Sequence, residues 1–173
     1  MTELELKPAL LRSMVHADLE LVLCWRNDPE VRRNMYTQHE ISLDEHQCWF
    51  ESAKANPKNH LLIFEVVYRP LGFVHFTETG SGGIADWGFY TAPDRPKGSG
   101  RQLGRAALSH AFTQMKLHKV CGLVLAYNQR SINFHLALGF RQEGIMSDQH
   151  FDGVRYHNVI RFGLLSHDWQ LST

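Results

Sequence analysis

Apolar positions recur along this chain with two periods, one helical and one extended. Leu4 to Arg12 reads as a first strand. After His16-Ala17-Asp18, the residues Leu19, Val22, Leu23 and Arg26 recur at helical spacing. This predicts a helix that runs to about Asn27 and stops before Asp28-Pro29. Val31 to Tyr36 is a short turn-rich segment. Ser42 with Glu45 three residues on is a capping box, and Leu43, His46, Gln47, Phe50 and Ala53 share one face of the helix that follows. Asn56-Pro57 ends it. His60 to Tyr68 is an apolar, β-branched run closed by Arg69-Pro70. Leu71 to Thr79 alternates, with Leu71, Phe73 and His75 on one side and Val74 and Phe76 on the other. Ser81-Gly82-Gly83 turns the chain into Ile84 to Thr91.

A Pro/Gly-rich loop then opens a helix that should reach about Leu117. Leu103, Ala107, Ala111 and Met115, widened by Leu108 and Phe112, give it a core-facing side. Lys119 to Tyr127 reads as a short buried strand. Asn128 to Phe140 reads as a helix with Asn128 as its cap and Gly139 as its stop. Phe140 to His150 and Val154 to Leu164 close the chain as a hairpin around Asp152-Gly153. The fold class is α/β (α+β): one mixed, mostly antiparallel sheet with helices on both faces.

The 173 residues suffice for one domain, read as 1–173. Lys+Arg and Asp+Glu balance at 18 each, so no general charge draws the chain to nucleic acid or to a membrane. The 11 histidines are scattered without metal-ligand spacing, so no metal is expected. Cys24, Cys48 and Cys121 are odd in number and far apart, which fits reduced thiols in the cytoplasm. No signal peptide and no run of membrane-spanning length is read.

The chemistry gathers at Gly88 to Ala111, where Arg95-Pro96-Lys97-Gly98-Ser99-Gly100 gives the spacing R-x-x-G-x-G before a helix. Glycines let backbone approach a ligand, and the orphan N–H groups of a helix start favour negative charge. Lys97, Arg101 and Arg105 add cations. The loop is thus an anion cradle or an ordinary glycine-rich turn. It lacks the Gly-Lys-Ser/Thr of a nucleotide-triphosphate loop. It also lies too late in the chain for a dinucleotide fingerprint.

Strand, R-x-x-G-x-G and helix in this order resemble the pyrophosphate loop of the GNAT N-acetyltransferase superfamily. Asn128, Ser131 and the helix ending in Leu138-Gly139-Phe140 resemble its closing motif. The N-terminal pattern resembles the pseudaminic acid pathway N-acetyltransferases. It consists of Trp25-Arg26-Asn27, Val31-Arg32, Met35-Tyr36, Ile41-Ser42, His46 and Trp49-Phe50. Those enzymes acetylate the 4-amino group of UDP-4-amino-4,6-dideoxy-N-acetyl-β-L-altrosamine, and the product serves flagellar and surface glycosylation. Related branches acetylate ribosomal-protein N-termini or polyamines. A CoA-binding module without turnover is a further alternative.

The resemblance implies a GNAT fold and acetyl-CoA as cosubstrate. Its pantetheine would lie at Phe89, Tyr90 and Thr91, and its pyrophosphate at Lys97, Gly98, Ser99, Gly100 and Arg101. Asn128 and Ser131 would contact its outer part, although Asn128 reads equally as a cap. A nucleotide-sugar would meet Arg26, Asn27, Arg32, Met35, Tyr36, His46 and Trp49. No nucleic acid or membrane partner is implied, and a homodimer is left open.

Direct attack of an amine on a thioester needs a deprotonated amine, a stabilised oxyanion and a proton for the thiolate. Cys121 has no nucleophilic part in it. His135 stands where the family commonly places a tyrosine acid, with Tyr127 and Tyr90 as substitutes. The base is left among Glu78, Asp86 and His75, of which Glu78 and His75 point to opposite faces of one strand.

Overall fold

The computed structural model describes residues 9–170. Seven strands form one sheet in the order β1-β2-β3-β4-β5-β7-β6. They are β1 (Ala9–Ser13), β2 (Asn59–Val66), β3 (Arg69–Glu78), β4 (Ile84–Thr91), β5 (Lys119–Leu125), β6 (Arg141–Phe151) and β7 (Tyr156–Leu165). β4 and β5 pair in parallel, and the other described neighbours are antiparallel. The helices are α1 (Leu19–Asn27), α2 (Pro29–Arg32), α3 (Leu43–Ala55), α4 (Ser99–Thr113), α5 (Gln129–Ala137) and α6 (Ser166–Gln170). The early part of the first predicted strand, residues 4–8, lies outside the described residues. None of the described helices is long and apolar enough to cross a membrane.

The sheet separates two cores. On one face, Leu19, Val22 and Trp25 of α1 and Phe50 of α3 bury against Ile63 and Phe73. On the other face, Leu103, Ala107, Leu108 and Ala111 of α4, with Ile132 of α5, bury against Phe64, Val74, Phe76 and Trp87. Ser42 Oγ accepts the Glu45 N–H, which starts α3 as the sequence predicts. The Glu45 carboxylate does not close the capping box; it takes up His39 instead, at 3.1 Å.

Three local readings are corrected. Leu71 joins the Val74 and Phe76 core rather than the Phe73 side. The register passes from Phe64↔Gly72 to Glu65↔Pro70, so Leu71 is an extra residue that reverses the alternation. The turn between β2 and β3 falls on Val67 and Tyr68, both at positive φ (51° and 62°), and Pro70 is already inside β3. α4 stops at Thr113, short of Leu117. Lys116 turns left-handed at φ 56°, and the Leu117 N–H reaches back to the Ala111 carbonyl at 3.0 Å.

Candidate active site

The site begins where the sheet opens. The β4–β5 ladder runs from Ile84↔Lys119 to Trp87↔Gly122 and then ends. Thr79 N–H donates to the Ile84 carbonyl, and Ala92 N–H donates to the Leu71 carbonyl. Even-numbered residues of β4 therefore direct their backbone groups to β3 and odd-numbered ones to β5. Phe89 and Thr91 lie past the last rung, so their N–H and C=O groups aim into the gap between the diverging strands. This is the splay that the resemblance implies, with preorganised N–H groups of the kind that stabilise an oxyanion. Side chains divide across it. Phe89 packs on Phe134 of α5 at 4.8 Å between ring centres, and Tyr90 packs on Phe73 across the sheet at 5.2 Å.

The glycine loop lies at the same end of β4. Gly98 takes φ 95°, a left-handed conformation that its missing Cβ allows. Ser99 is fully buried, and its N–H and hydroxyl both bond the Pro96 carbonyl (3.2 and 2.8 Å), which closes the turn. Gln102 N–H then bonds the Gly98 carbonyl and starts the helical ladder. The N–H groups of Gly100 and Arg101 precede that ladder and have no intrahelical carbonyl. A Cβ on Gly100 would meet nothing within 4 Å, so the cradle is open to a ligand. Lys97, Arg101 and Arg105 are exposed in the loop and the first turns of α4. Arg69 anchors the loop through Asp94 at 2.6 Å. These residues fit an anionic diphosphate. Asn128 Oδ1 accepts the Ser131 N–H at 3.0 Å, so its side-chain oxygen serves as the cap of α5.

The opposite mouth of the splay, on the α1–α3 side, holds the residues predicted for the second substrate. Arg26 donates through Nη2 to the Thr37 carbonyl at 2.8 Å, while its Nη1 is buried without a partner. Burial lowers its pKa, Tyr90 opposes that shift, and Arg32 adds to it. Arg32 likewise has a buried, unpartnered Nε. His46 is buried and stacks on Trp49 at 5.0 Å, and burial followed by Arg26 keeps its imidazole below its ordinary pKa. Trp49 packs edge-on against Phe73. Burial pushes the Tyr90 phenol well above its ordinary pKa. Met35 is half-buried, and Tyr36 is half-exposed against His150 at 4.9 Å.

Three predicted site residues stand elsewhere or are engaged otherwise. Asn27 exchanges two hydrogen bonds with the Ile41 backbone (2.8 and 2.9 Å), so its side chain ties α1 to the approach of α3. Glu78 pairs with Ala85 at the far end of β3, about 20 Å along the strand from Gly72↔Thr91 at ~3.4 Å per residue. It bonds His60 at 3.1 Å on the α4 side, so it cannot serve as base at the splay. His135 is 3% exposed with both ring nitrogens engaged. Trp87 Nε1–H donates to its Nε2 at 3.1 Å, and its Nδ1–H donates to the Ser131 carbonyl at 2.8 Å. Burial drops its pKa to about 4. The imidazole is a neutral core group at pH 7, not the expected proton donor.

Two other candidate bases remain on the α1–α3 side. His75 lies against Gly88, where a Cβ would overlap its ring, and burial takes its pKa to about 4. Asp86 has a buried, unpartnered Oδ1. Cys121 is a buried strand residue whose thiol burial pushes up, in keeping with no nucleophilic part. The sequence reading missed how the site is walled. Tyr127 donates its hydroxyl to the Arg33 carbonyl at 3.0 Å and accepts from Gln38, and its ring meets His157 at 4.8 Å. The segment after α2 is thereby held against the β6–β7 hairpin. Asp152-Gly153 gave the only local signal for this wall: Asp152 caps the turn and also takes His157. Among the described residues, no group of His, Cys, Asp and Glu could hold a metal ion.

The model of the acetyltransferase (GNAT) domain family matches residues 9–141. The chain is similar to the spermidine N(1)-acetyltransferase of Vibrio cholerae, with 24% identity over 90% of this chain and 91% of that one. It is also similar to the acetyltransferase PseH of Campylobacter jejuni, with 25% identity over 68% of this chain and 73% of that one. The crystal structure of the Vibrio cholerae spermidine N-acetyltransferase with CoA and spermine superposes with a TM-score of 0.85 at 23% identity. It covers 94% of this chain and 98% of that one. The opened sheet, the glycine loop with its free N–H groups and the matched family agree: this chain belongs to the GNAT family and is an acetyl-CoA-dependent N-acetyltransferase.

Proposed function

We propose that the acceptor is a UDP-linked 4-amino-4,6-dideoxy sugar, whose 4-amino group attacks the thioester directly. The observation that carries this reading is the pair Arg26 and Arg32. Both keep a buried nitrogen without a partner at the acceptor mouth, and Arg32, itself only loosely paired with Glu40 at 4.0 Å, disfavours the charge of Arg26. A diphosphate would supply the missing acceptors and neutralise the pair. A polyamine would bring more positive charge to the same place. Trp49, Tyr36 and Met35 add surface for a base or sugar ring. The similarity to PseH and the N-terminal pattern are in keeping with this choice.

In this reading, the Phe89 and Thr91 N–H groups meet the oxyanion, and the Gly100 and Arg101 N–H groups hold the diphosphate of acetyl-CoA. His75, paired with Gly88 just past the last rung, is the group beside the splay that would pass the amine proton outward.

A second reading is favoured by a cleft of about 420 Å³ between α1 and the start of α3, lined by Glu20, Asp28 and Glu40. Carboxylates there suit a polyamine, in line with the spermidine acetyltransferase similarity. Thiol release from acetyl-CoA, measured in parallel with the UDP-4-amino sugar, spermidine and N-terminal peptides, decides between them. The proposal expects release with the sugar alone. Release only with spermidine or peptide refutes it. Coenzyme A binding without release on any of these acceptors refutes the sugar as well and leaves the acceptor to be sought among other amines.

A further inference from the structure

Residues 33–42 join α2 to α3 and carry Met35 and Tyr36 of the proposed acceptor mouth. The Met35 N–H closes a last turn on the Arg32 carbonyl at 3.0 Å, and residues 37–42 then run on outside helix and strand. Such a stretch holds one shape only where side chains tie it. Asn27 ties its far end through Ile41. Its near end is tied from across the molecule by Tyr127, 94 residues after Arg33. The Tyr127 hydroxyl donates to the Arg33 carbonyl at 3.0 Å and accepts from Gln38 Nε2 at 3.3 Å, so one oxygen gathers both ends of the stretch 33–38.

Tyr127 is the fixed partner in this contact. It occupies the short turn between β5 and α5, where the Ala126 N–H bonds the Asn158 carbonyl at 2.9 Å and the Asn128 N–H bonds the Leu125 carbonyl at 2.8 Å. Its ring meets His157 of β7 edge-on. Between Arg33 and Gln38 lies Thr37, whose carbonyl takes Arg26 Nη2 at 2.8 Å. A guanidinium is planar, so holding one of its nitrogens restricts where the other points. Arg26 Nη1 is the buried nitrogen left without a partner. Contact thus runs from the Tyr127 hydroxyl through the tied segment to the free donor of Arg26.

We propose that Tyr127 is a positioning residue for the acceptor: its hydroxyl holds segment 33–38 so that the Thr37 carbonyl presents Arg26 Nη1 to an anionic diphosphate. A donor fixed before binding loses less freedom when the ligand arrives. Tyr127 acts through Arg26 and needs no contact with substrate. Its hydroxyl proton is engaged with the Arg33 carbonyl, which sets this role apart from that of a proton donor. The inference rests on the nucleotide-sugar reading and deepens it.

The test is UDP binding by calorimetry, with coenzyme A present, in the wild type, Tyr127→Phe, Arg26→Gln and the double variant. Tyr127→Phe removes the hydroxyl and keeps the ring against His157. UDP should bind about fivefold more weakly to it, with coenzyme A affinity unchanged. Arg26→Gln should weaken UDP about tenfold or more, and adding Tyr127→Phe should then cost less than about twofold, because the hydroxyl acts through the guanidinium. With the UDP-4-amino sugar, KM of Tyr127→Phe should rise about fivefold while kcat stays within about twofold. Unchanged UDP affinity in Tyr127→Phe overturns the proposal. So does an undiminished loss in the Arg26→Gln background, or a fall in kcat with KM unchanged. A wild type that binds coenzyme A but no UDP overturns the nucleotide-sugar reading itself, and with it this proposal.

Discussion

The buried His135 makes a prediction in pH. Its folded pKa is about 4 against an ordinary 6.5, because burial between Phe140, Phe162 and Trp87 disfavours the imidazolium. A lowered histidine pKa means that the unfolded chain binds the proton more readily. The stability it contributes is fully present above pH ~6.5 and is lost as pH falls through that value toward ~4. At about pH 4.5 the loss works out to about 2.5 kcal/mol relative to neutral pH, a large part of a typical domain's stability.

Urea unfolding at neutral pH and at about pH 4.5, in wild type and His135→Phe, measures it. His75 titrates in the same direction with a pKa of about 4, but it is partly exposed and is retained in both proteins, so the difference isolates His135. At neutral pH, His135→Phe should itself cost about 1–3 kcal/mol, because the Trp87 indole N–H is left buried without an acceptor. Adding Trp87→Phe should recover part of that cost. The variant's pH dependence should be shallower than the wild type's by about 2 kcal/mol or more. Equal pH dependence in the two proteins would refute the assignment of His135 as a neutral core group. A kcat profile whose acidic donor limb disappears in His135→Phe would refute it from the catalytic side.

Other consequences are open to direct measurement. Val67→Asn with Tyr68→Gly should raise the urea midpoint by an amount worth about 1–2 kcal/mol, since both residues sit at positive φ in the β2–β3 turn where Asn-Gly is unstrained. Gly98→Ala should weaken coenzyme A binding about tenfold by calorimetry, because φ 95° strains any residue with a Cβ and the N–H groups that follow would shift. Arg32→Gln should raise KM for the UDP-4-amino sugar about tenfold or more and leave KM for acetyl-CoA unchanged, whereas a polyamine acceptor would bind no worse. A falling KM for the sugar in that variant would remove the anion-binding role given to Arg32.

What was legible in the sequence is what local chemistry decides. The R-x-x-G-x-G loop announces a helix start with open N–H groups, and the structure places Gly98 and Gly100 where a side chain would strain or close the cradle. Asn128 and Ser42 cap their helices as their residue types demand. The failures share a different cause: each residue's part is set by the way the strands and helices pair, not by its own type. His135 reads as a candidate proton donor until Trp87, 48 residues earlier, claims one nitrogen and the Ser131 carbonyl of its own helix claims the other. Glu78 reads as a base on a central strand until the register puts it at the wrong end and beside His60. Val67 and Tyr68 are poor turn formers, yet the pairing of Val66 with Arg69 leaves two residues to reverse the chain, and they take positive φ because the strands around them require it.

The same long-range ordering explains why the chemistry lies on one edge. β4 is bonded to β5 for four residues and then released, and the proposed site is built around that released stretch. The glycine loop reaches it from the start of α4, and the proposed acceptor arginines from α1 and α2. A sequence can name each contributor, but the edge they share exists only once the parallel ladder stops at Trp87 and Gly122. There, His135 and Trp87 occupy the space that a side chain at position 122 would need, so the last rung of the ladder requires Gly122.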